Sequence, residues 1–284
     1  MAEQDKSLVK SSHPLTRFDP KARKELVVRG LNALSEVKDA GFYFFKGEEH
    51  RMRGELKLAI SYYEKALQID SEHEDSLCWM GLSYLSLVEQ RSVDDVELDK
   101  TIRNERAAAA FQKLISICKK KDSVGWGPVP YLNLGHAQCN LSLYEKAAES
   151  YEQSIVLDPE FFESYTCLGW AQYNLGLYEA AIESYKRAIE LNPDDADSVP
   201  GGELSIGRAY NNLSLAYYTL GRYQDAIESC KQAIRIKPDF ANAHYGLGVN
   251  YLRTGDKGSA LEEYKILKTM DAEWANKLFK LIYK

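Results

Sequence analysis

Nowhere in the sequence do eighteen apolar residues follow one another, so no membrane-spanning helix is predicted. The first thirty residues also lack an apolar run of signal-peptide length. The five cysteines, Cys78, Cys118, Cys139, Cys167 and Cys230, are odd in number, widely spaced and form no CxxC pair. That pattern excludes a disulfide framework or a zinc cluster and fits reduced thiols in a cytosol-like compartment. His13, His50, His73, His136 and His244 stand far apart, without metal-ligand spacing. No glycine-rich loop follows a strand pattern. Basic residues are outnumbered, 36 Lys and Arg against 42 Asp and Glu, giving a formal charge of -6 where a general nucleic-acid binder shows the opposite balance. These absences predict a cytoplasmic protein with no catalytic residues, no cofactor and no metal, which neither binds nucleic acid nor inserts into a membrane.

What the sequence has in quantity is itself. The stretch LSLYEKAAESYEQSIVLDP begins at Leu141, LGLYEAAIESYKRAIELNP at Leu175, and LGRYQDAIESCKQAIRIKP at Leu220. In the middle copy Tyr178, Ala181, Ile182, Tyr185, Ala188, Ile189 and Leu191 fall at spacings of three and four, the mark of a helix with one buried face. The preceding stretch, FESYTCLGWAQYNLG, reads as a second amphipathic helix ended by Gly176, and Pro193 ends the pair. The unit is a helical hairpin. Gly169 and Ala181 are small, which predicts that the two backbones approach closely, with Tyr165, Leu168, Tyr178 and Tyr185 filling the space around them.

The spacing of Tyr165, Leu168, Gly169, Ala181, Tyr185, Ala188 and Pro193 resembles the tetratricopeptide repeat (TPR), whose period is about 34 residues. In that register the regular copies are Pro128 to Phe161, Phe162 to Asp195, Gly207 to Phe240 and Ala241 to Trp274, with an insertion at residues 196–206. Two divergent copies occupy 40–127: Ala40 to His73, carrying Tyr43, Gly47, Ala59, Tyr63 and Ala66, and a second from Glu74 to about Lys121. The latter starts with Trp79, Met80, Gly81 and Tyr84, then carries about fourteen additional residues, an insertion within 88–106, before Ala107 and Phe111 resume the register. The expected fold is all-α, a right-handed α-solenoid of six hairpins. A solenoid must be capped at its ends. Residues 19–39 read as a leading helix that starts at Asp19-Pro20, behind a loose arm at 1–18. The tail EWANKLFKLIYK, with 275–284 as its last part, reads as a solvated capping helix that buries Trp274, Leu278, Leu281 and Ile282.

The resemblance implies a protein that holds another polypeptide, a peptide or a helix, on a concave face lined by the first helix of each repeat. Three register lines then name the groove: His136, Trp170, Leu215 and Val249; Cys139, Tyr173, Tyr218 and Leu252; Leu132, Thr166, Asn211 and Tyr245. Aromatic side chains of this kind dominate binding energies when they are exposed, and pack between repeats when they are not. Asn133, Asn140, Asn174, Asn212 and Asn250 add amides able to bond an extended backbone. The carboxylate clamp by which some TPR proteins hold acidic chaperone tails is incomplete, since Arg208, Asn133 and Cys167 supply only fragments of it. Ser92 to Arg106 reads as a hairpin extended into solvent, Trp126 as a plug after the irregular repeat, and Lys119 to Lys121 as a solvated helix end. The function expected is a non-catalytic interaction scaffold or assembly factor. The alternatives are a self-associating array and a regulatory subunit that positions a catalytic partner.

Overall fold

The computed structural model describes residues 38–89, 97–121, 125–191 and 202–284, and among them every regular element is a helix. The chain divides into two compact units, Met1–Ser142 and Leu143–Lys284. The boundary falls inside the repeat that starts at Pro128. The leading helix expected over 19–39 lies outside the described residues except for Lys38 and Asp39, and Asp39 caps the helix that follows by accepting from the Phe42 N–H.

In the first unit, α1 (Ala40–Met52) pairs with α2 (Leu56–Ile69), α3 (Glu74–Glu89) pairs with α4 (Glu97–Lys120), and α5 (Val129–Asn140) follows. Each helix packs on the next, and α1, α3 and α5 also adjoin in turn, which is how a solenoid stacks. The second unit repeats this with α6 (Tyr144–Leu157), α7 (Phe162–Asn174), α8 (Tyr178–Leu191), α9 (Gly202–Thr219), α10 (Tyr223–Ile236), α11 (Ala241–Arg253) and α12 (Lys257–Met270), closed by α13 (Ala272–Ile282). There α7 adjoins α9 and α9 adjoins α11.

One contact recurs and sets the register. A Cβ built on Gly169 would lie 2.7 Å from the ring of Tyr185, sixteen residues on, and one built on Gly47 would lie 2.5 Å from the ring of Tyr63. The small residue therefore seats an aromatic ring of the second helix rather than the opposing backbone, which corrects the reading of Gly169 from sequence. Gly81 is the same seat for Phe111, at 2.7 Å, but thirty residues on, so the fourteen additional residues lie between seat and ring. Tyr63, Phe111 and Tyr185 are completely buried. The turn between the helices is shared too: Gly54, Gly176, Gly221 and Gly255 all have positive φ, and Ser142 takes that place in its repeat at φ 58°.

Of the stretch Ser92 to Arg106, expected to extend a hairpin into solvent, Glu97 to Arg106 are described and are helical, and the rest lies outside the described residues. The offset from Tyr63 to Phe111 places Leu56, the first residue of α2, opposite Asn104, so Glu97–Arg103 prolong α4 beyond the length of α2. At about 1.5 Å per residue that prolongation is roughly 10 Å long. Arg103, at its end, and Asn104, just after it, are buried. Arg103 donates to the Leu87 carbonyl of α3 at 2.9 Å and pairs with Asp99, while Asn104 donates to the Lys100 carbonyl. Trp126 packs against the core of this unit and donates to Glu74 at 3.2 Å, the plug expected of it. The adjoining lysines are tied back rather than free: Lys120 pairs with Glu72, Lys121 with Glu74, and Lys119 lies over the Tyr131 ring.

At the other end Asp271 caps α13 by accepting from Glu273 and Trp274, and Ala275, Leu278 and Ile282 are its buried stripe. Leu278 enters the space above Gly248, where a Cβ would meet it at 2.6 Å. Leu281, read from sequence as part of that stripe, is exposed, because it sits one residue off the i, i+3, i+7 face that Ala275, Leu278 and Ile282 form.

Candidate functional site

The first helices of three successive hairpins in the second unit, α7, α9 and α11, present one adjoining face. On α7, Trp170 is 39% exposed and its ring stacks on Tyr173, centroids 5.9 Å apart. On α9, one place along in the same register, Leu215 is 36% exposed. Asn211 and Asn212 are half-buried beside it. Neither amide makes a hydrogen bond to another described residue, whereas Asn174 donates to the Trp170 carbonyl at 2.7 Å. Thr166 is half-buried and turns its hydroxyl back to the Phe162 carbonyl. Arg208 and Asn242 are exposed at the starts of this face.

The remaining aromatics are spent on joining repeats. The Tyr173 hydroxyl meets that of Thr219 at 3.1 Å, fastening α7 to α9. The Tyr218 hydroxyl accepts from Arg253 Nε at 3.0 Å and Nη2 at 2.7 Å, fastening α9 to α11. Tyr245 lies 4.6 Å from the Trp274 ring, and Val249 packs in the same cluster under α13. Tyr173, Tyr218, Tyr245 and Val249 are therefore half-buried joints that border the face, and Trp170 and Leu215 are its open apolar part. Asn250 is buried, its amide on the Gly246 carbonyl at 2.8 Å, and drops out of the groove.

Asn133, His136 and Asn140 belong to α5 of the first unit. Asn133 is buried and donates to the Val129 carbonyl at 3.0 Å, so it is structural; a polar side chain in a first helix turns back on its own backbone when the space outside is filled. His136 is half-buried, and burial pushes its imidazolium pKa down to about 4, which leaves the ring neutral at pH 7. Asn140 is exposed and donates to Asn104, the residue of α4 that follows the prolongation, at 2.9 Å. Sequence reasoning missed that prolongation as a source of contacts, because its mixed charges were read as solvation rather than as a buried arginine and asparagine.

Among the described residues no group of three His, Cys, Asp or Glu side chains could hold a metal ion, and no helix is long and apolar enough to cross a membrane. A buried pair does stand in the second unit. His244 Nδ1 lies 2.6 Å from Glu263 Oε2 and its Nε2 lies 2.9 Å from the Pro238 carbonyl. Burial alone would lower the His244 pKa, but its hydrogen bonds to Glu263 and Pro238 outweigh burial and hold it above the ordinary value.

Family comparisons agree with this geometry. A tetratricopeptide repeat model matches residues 40–73, another matches 162–195, and a TPR repeat model matches 135–176 and 208–255. Together they span half of the chain, which belongs to the tetratricopeptide repeat family. The first two matches have the bounds read from sequence. No curated protein matches the chain. Among solved structures it is similar to a chain of the APC/C hetero-tetramer Cut9-Hcn1, with 18% identity and a TM-score of 0.67, over 92% of this chain and 46% of that one. The chain thus spans about half the length of that relative. It is also similar to PilW, a type IV pilus biogenesis factor (15% identity, TM-score 0.65, 84% of this chain and 98% of that one). A third likeness is to YrrB, described as a TPR protein with an unusual peptide-binding site (21% identity, TM-score 0.54, 75% of this chain and 94% of that one). At these identities the likeness is one of fold: an all-α helical repeat solenoid.

Proposed function

We propose that this TPR protein is a non-catalytic interaction scaffold that holds an extended segment of a partner protein along the face of α7, α9 and α11. The observation that carries the reading is the pairing of exposed Trp170 and Leu215 with the amides of Asn211 and Asn212, which make no hydrogen bond to another described residue, on adjoining helices. An extended peptide needs both: apolar surface for alternate side chains, and amides that donate to and accept from its backbone. Membership of a family of protein-binding scaffolds supports the same reading.

The test is affinity capture with the wild-type chain and with a Trp170→Ala, Leu215→Ala double variant. Both residues are exposed, so the double variant keeps its melting temperature while losing at least ~2 kcal/mol of partner affinity, the scale of a hot spot. A partner recovered equally well by both chains would place binding elsewhere.

A further inference from the structure

The last helices of the second unit carry a row of rings that no described element covers. Helices α7, α9 and α11 each lie between two second helices, whereas α13 adjoins only α11 and α12. Leu278 anchors α13 above Gly248, and beside that anchor Phe279 and Tyr283 stand 42% and 61% exposed. Their ring centroids are 4.6 Å apart, and that of Phe279 lies 5.4 Å from half-buried Tyr264 on α12. A lysine closes each end of the row. Lys257 Nζ lies 5.0 Å from the Tyr283 ring centre, and Lys268 Nζ lies 5.8 Å from that of Tyr264. The two lysines stand about three turns apart on α12, roughly 16 Å at ~1.5 Å per residue.

The charges around this row do not balance, and every residue of 254–284 is described. Its five carboxylate side chains are all committed. Asp256 and Asp271 cap α12 and α13, Glu262 pairs with Lys265, Glu273 with Lys277, and Glu263 with His244. Lys257, Lys268, Lys280 and Lys284 are exposed and form no ion pair with a described side chain. A lysine resting on an exposed ring keeps ammonium donors free for an anion. The surface is therefore apolar and aromatic in the middle and cationic at both ends.

We propose that this row is a second docking site, which takes an acidic amphipathic helix of a partner protein. The apolar face of that helix lies on Tyr264, Phe279 and Tyr283, and a carboxylate near each of its ends meets Lys257 or Lys268. A helix laid along the seam of α12 and α13 presents carboxylates about three turns apart when they are about eleven residues apart, which is the spacing of the two lysines. Each carboxylate gains a charge-assisted hydrogen bond that its amide isostere cannot make. The unbalanced lysines select this occupant. The same face of a second copy would bring the same lysines, and like charge opposes that contact. An anionic bilayer would meet the lysines on a protein whose formal charge is -6. The site is independent of the α7, α9 and α11 face.

The test is calorimetry of the full chain with acetyl-Gln-Glu-Leu-Gln-Gln-Leu-Leu-Gln-Gln-Leu-Gln-Gln-Glu-amide and with a counterpart in which both Glu are Gln. The Glu peptide is expected to bind at least ~10-fold tighter, the scale of one charged hydrogen bond. Lys257→Gln and Lys268→Gln should each weaken it several-fold. Phe279→Ala and Tyr283→Ala, both at exposed positions, should each weaken it at least ~10-fold with the melting temperature retained. The Trp170→Ala, Leu215→Ala variant should bind it like wild type, which keeps this result separate from the fate of the other face. Phosphatidylserine vesicles should leave the chain in solution. Equal affinity for the two peptides, no binding of either, or retention on the vesicles that Phe279→Ala abolishes would overturn the proposal.

Discussion

The hairpins α3–α4 and α7–α8 share one internal contact and differ in nearly everything beyond it. In both, a glycine of the first helix seats a fully buried ring of the second, Gly81 with Phe111 and Gly169 with Tyr185. In α7–α8 the first helix ends at Asn174, soon after the seat, and the chain turns through Gly176 at positive φ. In α3–α4 the helices run on, and the excess is held by Arg103 on the Leu87 carbonyl and by a cation over Tyr84. The seat therefore fixes the pairing of two helices without fixing their lengths, and length beyond the seat is where a repeat acquires surface of its own.

The largest effect should come from the shared contact. Gly169→Val and Gly81→Val each drive a branched side chain into a buried ring, at a cost of about 3 kcal/mol, the upper part of the range for overpacking. Urea unfolding measures both. If Gly81→Val is tolerated and Gly169→Val is not, the two hairpins do not share the seat. Next, Arg103→Ala strips the Leu87 carbonyl of its buried donor and should cost about 1 to 3 kcal/mol. Arg187→Ala on the exposed surface of α8, where the arginine pairs with Glu190 along its own helix and bonds Tyr165 of α7, should shift the unfolding midpoint by much less.

A smaller effect separates the units by pH. His136 in the first unit has its folded pKa depressed to about 4 from 6.5, so its neutral form is the stable one. Its contribution is full above 6.5 and is lost as pH falls toward 4. His244 in the second unit has its folded pKa raised, so its contribution is full below the ordinary value of 6.5 and is lost as pH rises through the folded pKa. In a plot of unfolding free energy against pH, His136→Gln should flatten the acid limb and His244→Gln the alkaline limb. Smallest of all, Ser142→Gly relieves a left-handed backbone at a non-glycine residue and should gain about 0.5 kcal/mol, the strain relieved less the added freedom of the unfolded chain. Gly176→Ala at the matching turn should lose about 1 kcal/mol.

The fold was legible because the repeat writes its small residues and rings in register: Gly169, Ala181 and Tyr185 recover the hairpin and Gly47, Ala59 and Tyr63 recover its divergent relative. The count of fourteen additional residues in the second repeat was also legible, from Gly81 and Phe111. Their structure was not, because periodicity reports which side of a helix is apolar, and Arg103 and Asn104 are buried by hydrogen bonding rather than by apolarity. The candidate groove was legible only as a set of register positions. Register put Trp170, Tyr173, Tyr218 and Tyr245 on one footing, and it took the partners Thr219, Arg253 and Trp274, on other helices, to distinguish joints from open surface. Asn133 and Asn250 turn inward, a choice of side-chain rotamer that no spacing records.

In the repeat formed by α9 and α10 the seat carries a different pair. Ser214 takes the place of the glycine and Cys230 that of the ring, with Oγ and Sγ 2.9 Å apart and both side chains buried. The volume lost from the ring is only partly returned at the glycine, so the Ser214–Cys230 pair is smaller than a glycine with an aromatic ring. A stepwise path between the two solutions must cross a bad intermediate. Serine beside a tyrosine clashes, and glycine beside a cysteine leaves a void. The seat is thus an epistatic lock: each half can change without cost only in a background that has already begun to accept the change.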